Sequence, residues 1–162
     1  MSEKNEPLIW HAQIRDVTFG KNVKIIAPVN LYECKIGDDC LVGTFVEIQM
    51  NVIIGDRTRI QSHSFICEYV SIGKDCFVGH GVKFVNDLFY DGKPSYGDKS
   101  KWRKITVGNN VCIGSNATVM ASICDNAVIG AGAVVTKNIT KPGIYAGVPA
   151  KFLRPVQLPG FE

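Results

Sequence analysis

"IGDDCLVGTFVEIQMNVIIGDRTRIQSHSFICEYVSIGKDC", residues 36–76, keeps a beat of six. Ile36, Val42, Ile48, Ile54, Ile60, Ile66 and Ile72 fall on it, and Val78 and Phe84 continue it. Four residues after each, up to Val78, stands a small or β-branched partner: Cys40, Val46, Val52, Thr58, Ser64, Val70, Cys76 and Val82. A helix buries a face that repeats every 3.6 residues, so a period of six excludes one. The pattern suits one short strand per hexad with a tight turn between strands. The apolar residue and its partner both point inward, and glycine in "IGDD", "IGDR" and "IGKD" relieves the backbone at the bend. Three strands make a coil, so residues 18 apart stack; those three tetrads begin 18 apart, at Ile36, Ile54 and Ile72.

The beat extends both ways with slips. Upstream, Phe19 and Ile25 fit it with Val23 and Val29, and a one-residue slip precedes Ile36. It stops after Phe84, resumes at Val107 and Ile113, slips to four between Val119 and Ile123, and continues at Ile129 and Val135. After about Lys141 the tail leaves the repeat, and "AKFLRPV" is expected to form a short helical turn before Pro155. Solenoid ends need caps, and the two termini are expected to supply them. The hexapeptide pattern resembles the left-handed parallel β-helix, and the left hand comes from that resemblance. The expected fold is all-β: a single such domain over residues 1–162, with one extruded loop at about 86–104 and a short C-terminal cap.

Composition narrows the function classes. The 162 residues carry a net charge of +3 with scattered Lys and Arg, which gives no basic stripe for nucleic acid. No apolar run approaches a membrane span, and "MSEKNEPLIW" is no secretory signal, so a cytoplasmic location is expected. The six cysteines lack a C-x-x-C pair and are read as inert core thiols.

Coil arithmetic puts His63 and His80 near one corner on adjacent coils, since Ile60 and Val78 are 18 apart. Asn86 and Asp87 follow on the next face, above Glu68 and Tyr69. These six are expected to form one polar neighbourhood with the loop at its edge, since long loops in compact folds are usually functional or disordered. Corner residues of a solenoid are also polar for solubility alone. Lys99, Lys101, Arg103 and Lys104 read equally as a solvated loop, with Tyr96 and Trp102 packing it down.

Residues 46–89, "VEIQMNVIIGDRTRIQSHSFICEYVSIGKDCFVGHGVKFVNDLF", resemble bacterial nucleotide-linked 3-amino-sugar N-acetyltransferases. The nearest likeness is to those acting on UDP-2-acetamido-3-amino-2,3-dideoxyglucuronate. Residues 123–153, "ICDNAVIGAGAVVTKNITKPGIYAGVPAKFL", resemble the C-terminal coil of hexapeptide acyltransferases generally. The family commonly follows its Asn-Asp with Pro-Arg, where this chain reads "NDLFYDGKPSYGD". The resemblance implies acetyl-CoA as co-substrate, no required metal, and a homotrimer with sites between subunits. The acceptor would be a nucleotide-linked amino sugar, acetylated on its amine at C3, in surface polysaccharide precursor synthesis.

The catalytic candidates are His80, Asn86 and Asp87: His80 as base or substrate ligand, Asn86 as an oxyanion or orienting group, Asp87 as an orienting group. Candidates for substrate binding are His63, Glu68, Tyr69 and Lys83. For the donor they are Gly114, Ala131 and Ala133 along the pantetheine arm, with Lys137, Lys141, Lys151 and Arg154 for its phosphates. O-acetylation of a hydroxyl is the main rival. A non-catalytic sugar-binding scaffold is another. A γ-carbonic-anhydrase-like zinc protein would need three converging histidines, and the chain has only His11, His63 and His80.

Overall fold

The computed structural model describes residues 11–156. The expected all-β, left-handed parallel β-helix is what it contains. Strands of two to four residues wind around three faces. The first face stacks Ile14–Arg15, Asn30–Tyr32, Glu47–Ile48, Phe65–Ile66, Lys83–Phe84, Thr118–Val119 and Val134–Val135. The second stacks Thr18–Phe19, Lys35–Ile36, Ile53–Ile54, Val70–Ile72 and Ile105–Val107. The third runs from Lys24–Ile25 through Leu41–Val42, Arg59–Ile60, Phe77–Val78, Cys112–Ile113 and Ala127–Ile129 to Gly143–Ala146 and Lys151–Arg154.

Register follows the sequence spacing. Ile36 pairs with Ile54, Ile54 with Ile72 and Val42 with Ile60, each 18 apart. The upstream slip makes 17-residue coils, as in Phe19 with Ile36. The later slip makes 16-residue coils, as in Ile113 with Ile129, and reduces the second face to single bridges at Ile123. Every inward residue of the beat from Ile36 onward is buried, and so is its partner four residues on, except after Phe84, where the lobe begins. One continuous core results, from Val29 to Ile139.

The polar partners do more than fill space. Thr58 Oγ1 donates to the Gly73 carbonyl at 2.8 Å, Ser64 Oγ to Gly79 at 2.9 Å, and the Cys40 and Cys76 thiols to Gly55 and Gly108 at 3.1 Å. Each satisfies a bend carbonyl of the coil above, which apolar partners of the same size could not do; an orphaned buried carbonyl costs roughly 1–3 kcal/mol.

Glycine's role at the bends differs from the expected one. The left-handed residue is the third after the apolar one: Asp39, Phe45, Asn51, Arg57, His63, Tyr69 and Asp75, with φ from 56° to 65°. The glycine directly after the apolar residue answers a shortage of room: a Cβ at Gly55 would lie 2.6 Å from the Gly73 backbone.

The tail corrects two expectations. Gly143–Ala146 still pairs in parallel with Ala127–Ile129, so the repeat runs past Lys141. Lys151–Arg154 is a strand, not a helical turn. It folds back antiparallel on Gly143–Ala146, with Phe152 edge-on to Tyr145 at 5.5 Å, because the last coil otherwise leaves an open strand edge.

Candidate functional site

The loop interrupts the corner between the first and second faces. Val70 pairs with Ile105 across 35 residues, where coils without the loop need 16 to 18. The excursion is a docked lobe. Its neck closes where Arg103 N–H donates to the Asn86 carbonyl at 2.8 Å. Asn86 is buried and its amide donates to the Glu68 carbonyl at 2.9 Å. Asp87 accepts from the backbone N–H groups of Ser95 (2.8 Å) and Phe89 (3.2 Å). The bond from Ser95 is the main reason its carboxyl titrates below the usual range.

Under the lobe lies Glu68, only 4% exposed. Its carboxylate accepts from Asn51 Nδ2 at 2.9 Å and from Lys99 Nζ at 2.7 Å. That bond to Glu68 raises the Lys99 pKa. Lys99 stands in the short 3₁₀ turn Lys99–Lys101, which Asp98 caps. Trp102 packs edge-on to Tyr69 at 6.4 Å and donates from Nε1 to Ser95 Oγ. Lys104 sits over the Tyr69 ring, and Lys101 pairs with Asp91. Thus Trp102 packs the lobe down as expected, whereas Tyr96 is 83% exposed and does not. Lys99 and Arg103 tether the lobe to the prism and Lys101 pairs with Asp91 inside it, where a solvated loop is the alternative reading. The alternation in "KSKWRK" was the available signal, but which lysine reaches Glu68 depends on the fold of the lobe.

The histidines sit at the other edge of the first face. His63 and His80 share one corner on adjacent coils, as the spacing predicts; both are exposed. His80 Nδ1 lies 2.8 Å from Ser62 Oγ, one coil below. His63 stacks on Phe45 at 4.9 Å, and the Lys83 ammonium bonds the His63 carbonyl. The six-residue neighbourhood expected from sequence is therefore two groups. His63, His80 and Lys83 hold one corner; Glu68, Tyr69, Asn86 and Asp87 hold the next. His80 and Asn86 are six residues apart along this face, at most roughly 20 Å of extended chain.

Above His80 the same corner is small. His80 carbonyl accepts from Asn116 N–H, and Ser115 carbonyl from Gly132 N–H, so Ser115 and Ala131 continue the His80 column. Gly114 is a fold residue, because a Cβ there would lie 2.4 Å from Ala131 N. Ala131 is exposed. Ala133 corrects the donor-side expectation: it is 0% exposed, inside the prism, since it occupies the inward partner position. Lys137, Lys141, Lys151 and Arg154 are exposed. Among the described residues, no group of three His, Cys, Asp or Glu side chains converges as metal ligands would, and no helix is long and apolar enough to cross a membrane.

Comparison with known proteins agrees with the coil map. Residues 33–68 match the family described as "Bacterial transferase hexapeptide (six repeats)". Residues 69–82 and 104–137 match "Hexapeptide repeat of succinyl-transferase", and the gap between them is the lobe. The chain is 38% identical over 108 residues to the bifunctional protein GlmU of Streptococcus uberis, covering 65% of this chain and 21% of that protein. The chain thus matches about a fifth of that relative's length. The polySia-specific acetyltransferase NeuO is 27% identical with a TM-score of 0.54, over 90% of this chain and 74% of that one. A perosamine N-acetyltransferase from Caulobacter crescentus, solved with CoA and GDP-perosamine, is 15% identical with a TM-score of 0.50. That match covers 88% of this chain and 57% of the other, and it supports the fold alone.

Proposed function

Because the chain belongs to the bacterial hexapeptide-repeat transferase family, we propose that it is an acetyl-CoA-dependent N-acetyltransferase. Its acceptor is the amine, at C3, of a nucleotide-linked amino sugar. The observation that carries the reading is His80, exposed at a coil corner with Nδ1 held by Ser62 and a column of small residues above it. In the tautomer that donates Nδ1–H to Ser62 Oγ, the Nε2 lone pair is free to meet a substrate proton. The column of Ser115 and Ala131 leaves room for an extended pantetheine arm. The Caulobacter perosamine enzyme, solved with CoA and a nucleotide sugar, shows only that this fold can hold such a pair.

In this reading the sugar amine bonds to the thioester carbonyl carbon and the carbonyl becomes an oxyanion. Collapse of the oxyanion breaks the carbon–sulfur bond. The amine proton passes to His80 or to the departing thiolate. Positioning supplies much of the rate, since a neutral amine is already a good nucleophile. Asn86 and Asp87 act by fixing the lobe, and His63, Lys83 and Tyr69 face the acceptor. Within one chain the lobe and His80 stand a face apart, so a homotrimer with sites between subunits is part of the proposal. A monomer in sedimentation velocity would contradict it.

The test is thiol release from acetyl-CoA against UDP- and dTDP-linked 3-amino sugars and their 3-hydroxy counterparts. Turnover with an amino sugar alone is expected. Turnover with the hydroxy sugars alone would replace this reading with O-acetylation, and the absence of turnover with every acceptor would remove the acceptor assignment.

A further inference from the structure

The prism repeats one kind of bend at every corner, and so carries its own control. Between the second and third faces the left-handed residues are Asn22, Asp39, Arg57, Asp75, Asn110 and Asn126, with φ from 55° to 59°. Asn and Asp tolerate that conformation best, because a short polar side chain can bond locally. Here the side chains bond from coil to coil: Asn22 Nδ2 to Asp39 at 3.1 Å, Arg57 Nε to Asp75 at 2.6 Å and Asn110 Nδ2 to Asn126 at 3.3 Å.

The corner that carries His80 departs from this pattern. Above His80 its left-handed residues are Asn116 and Gly132; below it they are His63 and Phe45, with φ of 63° and 57°. A ring in left-handed backbone is an outlier, and such outliers gather where a site uses them. The Phe45 ring contributes little to the core: it is 57% exposed, and its centroid lies 4.9 Å from that of His63. Beside it opens a hollow of about 210 Å³. Ala12, Pro28, Val29 and Val46 give it apolar walls, and Asn30 and Glu47 add polar groups. The Asn30 amide both donates and accepts, and the Glu47 carboxylate accepts. Gln49 Nε2 steadies Glu47 at 3.1 Å.

The ring and His80 are related by the coil. His63 N–H donates to the Thr44 carbonyl and Gly81 N–H to the Ser62 carbonyl, so Phe45 stands two coils below His80. Adjacent strands lie about 4.8 Å apart, which puts roughly 10 Å of corner between them. The small residues Ser115 and Ala131 run the other way, upward from His80.

We propose that Phe45 is a stacking platform for the base of the acceptor's nucleotide. The inference rests on the acetyltransferase reading and extends it from the sugar to the nucleotide. With the donor arm above His80, the acceptor arrives from below. The hexose, diphosphate and ribose that separate its amine from its base are long enough to cover two coils. A base brings a flat π-face to the Phe45 ring, and an edge of donors and acceptors to Asn30 and Glu47. An aliphatic ligand would leave those two polar groups without partners. Phe45 thus touches the substrate far from the reacting atoms and selects the carrier rather than the sugar.

The test gives Phe45 the residue that serves the sister bends. Phe45→Asn should melt no lower than the wild type, since Asn suits left-handed backbone; a lower melting point would mean that the ring serves the fold, and would overturn the platform. Calorimetry on the full chain, with CoA present to fill the donor side, takes UMP, dTMP and GMP as probes and ribose 5-phosphate as the control that lacks a base. At least one nucleotide is expected to bind the wild type and to bind Phe45→Asn about tenfold more weakly. Phe45→Tyr should restore most of that affinity, and neither change should alter binding of ribose 5-phosphate. Equal nucleotide affinity in wild type and Phe45→Asn, or no nucleotide binding to the wild type, would overturn the proposal. So would a Phe45→Asn protein that sediments as a smaller assembly, because the ring would then belong to a subunit contact. In turnover, KM should rise for the nucleotide sugar and stay unchanged for acetyl-CoA. Base-dependent binding through Phe45, in a protein that releases no thiol with any acceptor, would sink the acetyltransferase reading and leave the platform standing. Thiol release with the same acceptor KM in wild type and Phe45→Asn would do the opposite.

Discussion

Lys99 Nζ lies 2.7 Å from Glu68 Oε1, across 31 residues of chain, and the carboxylate it meets is buried. A buried carboxylate needs partners, since desolvation without them is costly. Here the partners are Asn51 from the coil below and Lys99 from the lobe. The contact therefore ties the lobe to the body.

Removing that tie should free the lobe without unwinding the prism. For Lys99→Met and Glu68→Gln we expect faster proteolytic cutting within residues 88–104 and unchanged far-ultraviolet circular dichroism. In turnover, KM for the acceptor should rise more than kcat falls. Cutting at the wild-type rate in both variants would show that the lobe is held by other contacts.

The lobe should also respond to acid in a defined window. Asp87 titrates low because of the Ser95 N–H, and Asp98 because of Ser100. A carboxylate with a depressed folded pKa stabilises fully above its unfolded value, near 4, and loses that contribution as pH falls through the lower folded value. Lys99 and Lys101 are raised by Glu68 and Asp91, so their contributions are full below the unfolded lysine value, near 10.4, and are lost above it. Proteolytic susceptibility of the lobe should stay flat from about pH 5 to about pH 9 and rise only outside that range. A change centred near pH 6.5 would implicate a histidine instead.

The thiols divide by depth. Burial pushes Cys34 up to about 11 and Cys67 up to about 12, and it also raises Cys40, Cys76 and Cys124. Cys112 alone of the six is exposed. Since the thiolate is the reactive form, a disulfide reagent should titrate one thiol quickly in the native protein and the rest only on unfolding. Cys112→Ser should abolish the fast phase; its persistence would mean that the coils open.

His80→Ala separates two roles for the imidazole. If the acceptor is an amine, kcat should fall about tenfold at neutral pH, less than the roughly 10²–10⁴ a positioned acid–base group contributes. The deficit should shrink as pH rises and more of the amine is neutral. Ser62→Ala should reproduce a smaller part of the same loss, because it frees the ring from its only hydrogen bond among the described contacts. A loss of several powers of ten in a variant that keeps the wild-type fold and assembly would make His80 an obligatory base and favour a hydroxyl acceptor.

The beat from Ile36 to Phe84 determined the strands, the three-strand coil and the core, because inward residues of a solenoid are set by nearest-neighbour stacking at a fixed spacing. The same arithmetic put His63 and His80 at one corner and located the excursion. It failed where position depends on something other than the repeat. "AKFLRPV" became a strand because the last coil offered an open edge. The outward placement of Ala133 went against the repeat's own rule, because as the fourth residue after Ile129 it takes the inward partner position. Lys99 found Glu68 only because the lobe folds back on the prism. Inside the repeat the distance between two residues follows from their separation in sequence. Inside the lobe no period relates the two, and packing decides.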